Sequence, residues 1–396
     1  MFRTLDDLHV KGKRILVRVD FNVPLTKTGS VADDNRIRAS LPTIRFLLAK
    51  GATVILVTHL GRPKGVDDAL RLNAVGKRLS RLLKRDVIKL DDTVGHDVEE
   101  RVHAARKGSV ILLENARFYA EEEKNDAGFA KALSRLADVY VNDAFGTCHR
   151  AHASVHGVTR FLPSAAGLLL EKEIDALDAV LTRPKHPFIA IMGGAKVSDK
   201  IGVITNLMKR ADAILIGGAM MFTFEKSVDR QIGTSLVEND KLNLAHDLLK
   251  KGHEKLVLPV DTVVARSIDD VKGAKVVPIE RMPQDMKGLD IGPETVAIYS
   301  EMLHRARTIV WNGPMGVFEV PRFAKGTIGI AKAVAASKGM TVVGGGETAE
   351  AVRNAGVERR ITHISTGGGA SLEYLEGKKL PGIDALERNR RMFKRA

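Results

Sequence analysis

Five apolar, strand-like stretches of this chain run into glycine where a strand-to-helix loop should begin. They end at Gly193-Gly194, Gly217-Gly218, Gly313, Gly344-Gly345-Gly346 and Gly367-Gly368-Gly369, all after residue 185. Earlier strand ends carry cations and polar groups instead: Arg18 to Asn22, His59 to Arg62, Glu114 to Arg117, and Asn142-Asp143 followed by His149-Arg150. A parallel sheet binds its ligand outside the carboxyl ends of its strands, so two kinds of strand end imply two ligands. Glycine lets backbone approach phosphates, and helix N-termini favour anions. Arg and His clusters read the oxygens of a small phosphorylated or carboxylated molecule. One nucleotide and one small anion suit phosphoryl transfer.

Each motif also has a plainer reading. Gly193 to Lys200 is no P-loop, because the G-x-x-x-x-G-K-[ST] spacing is absent. It does place Lys196 and Lys200 four apart where a helix should start, on one face of its first turns. Lysines there oppose the helix dipole, a conflict that bound polyphosphate would remove. Glu347 and Thr348 either hold a metal–phosphate complex at a helix head or cap that helix. Asn312 and Glu319 suit a ribose or base edge, while Trp311, the only tryptophan, reads equally well as core. Arg18, Arg36, His59, Arg62, Arg117 and Arg150 lie within or just beyond strand-end loops. One such residue is an ordinary surface charge; several at one sheet edge make an anion pocket. Cys148, His149, His152 and His156 lack the second cysteine of a zinc site, so hydrogen bonding is the better reading.

The elements that must position these groups follow from apolar periodicity. Ile15–Val19 is a strand, Arg36–Lys50 a helix whose first turn Pro42 is expected to place near Ser40, and Thr53–Val57 a continuous apolar strand. The alternation continues with a helix near Ala74–Arg85, a strand at Val110–Leu113, a helix at Gly128–Leu136 and a strand at Val139–Asn142. A helix over 164–183 then connects to strands at 188–192, 213–216, 256–260, 308–311, 341–343 and 362–365. The expected class is α/β: two Rossmann-like domains, each a mostly parallel sheet of about six strands covered by helices, joined by a hinge helix.

Composition fits that picture. The 396 residues exceed one ordinary core, and the 44% apolar and 28% charged fractions are those of a globular chain. No stretch approaches the ~20 apolar residues of a membrane helix, and the start lacks signal-peptide organisation. A single cysteine forbids an intrachain disulfide and suits a cytoplasmic location. The net charge of +14 admits nucleic acid, but aromatics are only 5% and the basic residues are dispersed among acids. Neither nucleic acid nor membrane is expected as a partner.

Taken together, the segments resemble phosphoglycerate kinases. The resemblance rests on Arg18–Pro24, His59–Pro63, Leu113–Phe118, Asn142–His152, Gly193–Lys200, Trp311–Glu319, Gly344–Thr348 and Ser365–Glu373, in that order along nearly the whole chain. It implies reversible phosphoryl transfer between 1,3-bisphosphoglycerate and ADP, giving 3-phosphoglycerate and ATP, with Mg2+ entering as Mg-ATP or Mg-ADP. It implies an acid-binding domain over 1–163, a hinge helix over 164–183, a nucleotide domain over 184–384, and residues 385–396 returning to the first domain. A monomer is expected. By position, Asp20, Phe21, Asn22, Arg36, His59, Leu60, Gly61, Arg62, Arg117 and Arg150 would hold 3-phosphoglycerate. Lys200, Gly292, Asn312, Glu319, Gly345, Gly346, Glu347 and Thr348 would hold the nucleotide, with Glu347 nearest the metal. Arg36, Lys196 and Lys200 would offset the charge of the migrating phosphoryl group.

Two positions depart from the family pattern. Glu347 stands where Asp is common, and Ala219 follows Gly217-Gly218 where a third glycine is common. The main rival is an NAD-dependent dehydrogenase, opposed by the missing G-x-G-x-x-G and its downstream acid. The other is an inactive or RNA-binding relative, opposed by the presence of every candidate catalytic residue.

Overall fold

The computed structural model describes residues 2–252 and 254–394. Apolar runs with both faces buried become parallel strands. In the first half these are β1 (Arg14–Arg18), β2 (Thr53–Val57), β3 (Val87–Lys89), β4 (Val110–Leu112), β5 (Val139–Asn142) and β6 (Ser164–Ala166). They form one sheet in the order β3-β4-β2-β1-β5-β6, and every pairing is parallel. β2 is buried along its whole length, and Ile15, Val17, Val54, Leu56 and Val141 pack with Ile37, Ile44 and Leu47 of the helix Asn35–Ala49. That helix tolerates Pro42 within it.

The second half repeats the architecture. β7 (Phe188–Met192), β8 (Ala213–Ile216), β9 (Leu256–Val257), β13 (Thr308–Asn312), β14 (Met340–Gly344) and β15 (His363–Ile364) form a parallel sheet in the order β15-β14-β13-β7-β8-β9. Between β9 and β13 lie β10 (Asp261–Ala265), β11 (Lys275–Pro278) and β12 (Lys287–Ile291), a separate antiparallel sheet in the order β11-β10-β12. The expected strand over 256–260 is therefore cut to Leu256–Val257. Pro259 has no N–H for a ladder, and the chain leaves the large sheet there.

The connecting segment also differs from expectation. Residues 164–166 are β6, and the helix runs over Leu168–Thr182. Ser164 N–H is claimed by Asn389 and Tyr140 N–H by Pro163 O, so the chain is held extended on β5. Asp143 then opens the helix, its Oδ1 accepting Leu169 N–H at 2.9 Å.

The described residues fall into two compact units whose division lies within this helix: residues up to Ile174 with those from Lys379 onward, and Asp175–Lys378. In the first, the helix Pro381–Met392 is tied down by Asn389, whose Nδ2 donates to Thr159 O and Leu162 O at 2.6 and 2.8 Å. No helix among the described residues is long and apolar enough to cross a membrane.

Candidate functional site

β4, β2, β1 and β5 are adjacent, so the four polar strand ends of the first unit share one sheet edge. Thr58 Oγ1 accepts Phe21 N–H at 2.9 Å, which fixes the loop after β1 with Phe21 buried. Asp20 Oδ2 accepts Arg36 Nη1 at 2.7 Å, and Asn22 Oδ1 accepts Gly61 N–H at 2.9 Å. Asn115 clasps Leu60 from both sides, donating to its O and accepting its N–H at 2.8 and 3.2 Å. Arg117, nearly buried, donates through Nη1 to Gly61 O at 2.7 Å. Arg150 Nε donates to His149 Nε2 at 3.0 Å, and Arg62 is exposed.

Positive charge dominates this edge. Burial, then Arg18, Arg117 and Arg36, push His59 well below its ordinary pKa. His152 falls to about 3 through burial and then Arg18, Arg117 and Arg150. Glu122 lies 3.8 Å from His152 Nδ1, yet its oxygens are taken by Ser154 N–H and Ser154 Oγ at 2.8 and 2.5 Å. Burial and, after it, the arginines therefore outweigh Glu122, and both histidines are held neutral at pH 7. Such a cluster favours an anion with several oxygens.

Beneath it runs a chain that sequence reading missed in part. Arg18, 1% exposed, donates through Nε to Ser154 Oγ at 2.8 Å and contacts His59 Nδ1 through Nη2 at 3.1 Å. Glu122 is fully buried, although it sits in the run Glu121-Glu122-Glu123, which reads as a solvated helix face. Nothing local in that run singles out its middle residue.

In the second unit the glycine-ended strands lace together through backbone. Gly193 N–H donates to Asn312 O, Gly194 N–H to Pro314 O and Gly218 N–H to Met315 O, at 2.9 to 3.0 Å. Gly218 has φ +68°, and a Cβ there would lie 2.5 Å from Gly194 N; only glycine fits. Against this floor lies a cavity of about 460 Å3, whose lining includes Gly194, Gly218, Ala219, Phe222, Leu289, Pro314, Gly316, Glu319 and Glu347. Leu236 and Ile268 also line it while 57% and 46% exposed.

The two lysines part company. The helix begins at Ile201 with Lys200 as its cap, so Lys196 lies in the preceding loop and not on a shared helical face. Gly193 and Gly194 N–H groups are taken by the laced floor, and Ser198 N–H donates to Glu238 Oε2 at 3.0 Å, so the helix starts only after them. Lys196 is exposed. Lys200 is partly buried, donates through Nζ to Asn312 Oδ1, and has its pKa lowered by burial. Asn312 Nδ2 is buried without a partner. Thr348 Oγ1 accepts Gly313 N–H at 2.7 Å, and Gly345, with φ +91°, caps the helix Gly346–Asn354 that presents Glu347. Gly292 does not line the cavity. A Cβ there would lie 2.2 Å from Asp261 Cγ, so close packing is the role its geometry displays. Trp311 is core, donating to Gly313 O at 2.8 Å.

Among the described residues no three His, Cys, Asp or Glu side chains group to hold a metal. Glu347, one of the carboxylates lining this cavity, suits a cation that keeps phosphate oxygens and water among its ligands, as Mg2+ does.

A family model described as phosphoglycerate kinase matches residues 5–378. The chain is 55% identical over 387 residues to the phosphoglycerate kinase of Dictyoglomus turgidum, covering 97% of this chain and 98% of that protein. It is 56% identical to that of Moorella thermoacetica, with the same coverage. Among solved structures, phosphoglycerate kinase from Coxiella burnetii superposes with a TM-score of 0.89 at 37% identity, over 98% of this chain and 99% of that one. The enzyme from Pyrococcus horikoshii gives 0.88 at 36% identity, over 99% and 100%.

Proposed function

The chain belongs to the phosphoglycerate kinase family, phosphotransferases with a carboxyl group as acceptor, and from that premise we propose how its two units divide the reaction. The reaction is reversible transfer of a phosphoryl group between 1,3-bisphosphoglycerate and ADP, giving 3-phosphoglycerate and ATP. One observation supports the division most directly: cation-rich strand ends in the first unit and a glycine-floored cavity in the second.

The first unit takes the acid. Arg62, Arg117 and Arg150 pair with its phosphate and carboxylate oxygens, and neutral His59 adds a hydrogen bond. Asp20, Phe21 and Asn22, with Leu60 and Gly61, shape the walls. Arg36 is held by Asp20 at 2.7 Å and reaches the transferring group. The second unit takes the magnesium nucleotide as substrate. Leu236, Ile268 and Ala219 offer apolar surface to the base, and Glu319 and Asn312 its ribose or phosphate edge. Gly345, Gly346 and Thr348 bring backbone and a helix N-terminus to the phosphates, with Gly292 acting only through its backbone. Lys200 pairs with phosphate oxygens, and Glu347 reaches the magnesium that the nucleotide carries.

Charge in this transfer lies on the equatorial phosphoryl oxygens, so positioning and cations do most of the catalysis. Arg36, Lys196 and Lys200 supply them. A carboxylate nucleophile is already ionised at neutral pH and needs no general base, which agrees with two neutral histidines serving as hydrogen-bonding groups. Ligands bound to separate units react only after their atoms approach to about 3–3.5 Å with water excluded. Closure about the helix Leu168–Thr182 is therefore part of the proposal, as are a cytoplasmic location and a monomeric state.

A coupled assay with 3-phosphoglycerate and Mg-ATP tests the reading. Turnover that requires both substrates supports it; NADH binding without such turnover would favour the dehydrogenase reading.

A further inference from the structure

A second cavity in the nucleotide unit, of about 300 Å3, is lined by Val263, Val276, Ile291, Val296, Arg322 and Lys325, together with Pro293 and Gly326. Its volume is at the lower end of small-ligand sites. The aliphatic walls come from all three antiparallel strands and the helix Pro293–Arg305. Val276, on the edge strand β11, is 50% exposed, so part of this apolar surface faces water.

The charge in the cavity is all of one sign. Arg322 donates through Nη2 to Ala274 O at 3.0 Å, but its Nε is buried without a partner. Among the described residues no carboxylate forms an ion pair with Arg322 or Lys325, and none lines the cavity. A partly buried guanidinium with an unmet donor is costly. Lys325 begins the twelve-residue helix Lys325–Ala336, whose N-terminal dipole adds positive potential.

We propose that this cavity binds a short-chain aliphatic carboxylate, its tail against the valines and Ile291 and its head on Arg322 and Lys325. A free inorganic anion fits poorly, because aliphatic walls would strip its hydration without return. A neutral alkane would leave Arg322 unmet. The site shares no lining residue with the glycine-floored cavity; Asp290 is among the residues lining that cavity, and its Oδ2 accepts the N–H of Gly326, which lines this one, at 2.6 Å.

Octanoate is the probe and octanamide its uncharged control, titrated calorimetrically into the full chain with and without Mg-ADP. Wild type should bind one octanoate saturably. Arg322→Gln should weaken octanoate at least tenfold while leaving octanamide unchanged, and Val276→Phe should abolish both by filling the mouth. Val276 is half-exposed, so that variant keeps the fold and decides the matter if Arg322→Gln does not. No saturable binding up to about 10 mM, beyond the ~1 mM dissociation constants of weak ligands, overturns the proposal. So does equal loss of octanoate and octanamide in Arg322→Gln, unaltered binding in Val276→Phe, or displacement by Mg-ADP, which would place the ligand in the other cavity. Catalytic turnover is measured separately, so either reading can fail alone.

Discussion

Arg18 Nη2 meets His59 Nδ1 at 3.1 Å, and both residues are buried. A guanidinium has no acceptor, so Nδ1 must accept and the single imidazole proton must sit on Nε2. Arg18 is itself aimed by Ser154, which hydrogen-bonds the buried Glu122. The chain Glu122–Ser154–Arg18 thus selects one tautomer of a substrate-edge histidine. Nitrogen-15 NMR of imidazole-labelled protein should show His59 neutral and protonated on Nε2 near pH 7. In Ser154→Ala the pattern should shift toward a tautomer mixture. A wild-type signal from the Nδ1–H form would contradict the assignment.

Arg36 is held by Asp20 with its side chain still 36% exposed, available to a phosphoryl group yet fixed in place. Its contribution should be greatest as charge develops, so Arg36→Ala should lower kcat by about 100-fold or more with a smaller change in KM. A raised KM with unchanged kcat would reassign it to ground-state binding.

Lys200 Nζ spends its hydrogen bond on Asn312 Oδ1, leaving two donors free. Lys200→Met should weaken nucleotide binding by about tenfold or more, the scale of one lost charge-assisted hydrogen bond, and leave 3-phosphoglycerate affinity unaltered. Calorimetry with each ligand separately checks this.

His152 makes acid stability testable. Its folded pKa, about 3, lies below its ordinary 6.5, so below 6.5 the unfolded chain binds the extra proton. Its stabilising contribution is present above about pH 6.5 and is lost as pH falls toward 3, at up to about 1.4 kcal/mol per pH unit. His59 acts in the same direction, while Asp143, raised to about 7 by burial, acts oppositely. Urea unfolding of His152→Asn should therefore show a shallower loss of stability than wild type between about pH 6.5 and pH 5. Parallel slopes would refute the shift.

If closure is required for transfer, scattering should report it. The radius of gyration should fall most with 3-phosphoglycerate and a non-hydrolysable Mg-nucleotide together, and less with either alone, because each ligand shifts the equilibrium only by its own differential affinity. Values unchanged across all four states would exclude closure.

The strand ends were legible in the sequence because their chemistry is local. Glycine after an apolar run marks close backbone approach, and the parallel order of β4, β2, β1 and β5 gathers cations that sequence already places at loop starts. The antiparallel sheet β11-β10-β12 was not legible, since β11 is mostly exposed and has no buried face to print on its pattern. Glu122 looks like its neighbours Glu121 and Glu123, yet it alone is buried, against Ser154. Lys196 and Lys200 look equivalent at a spacing of four, but only Lys200 is drawn inward to Asn312. Sequence determines which chemistry each loop can present. Burial and hydrogen-bond partners depend on residues distant in sequence, 32 positions away for Glu122 and 112 for Lys200, so only the tertiary structure decides which of those groups is held, neutralised or left free to meet a ligand.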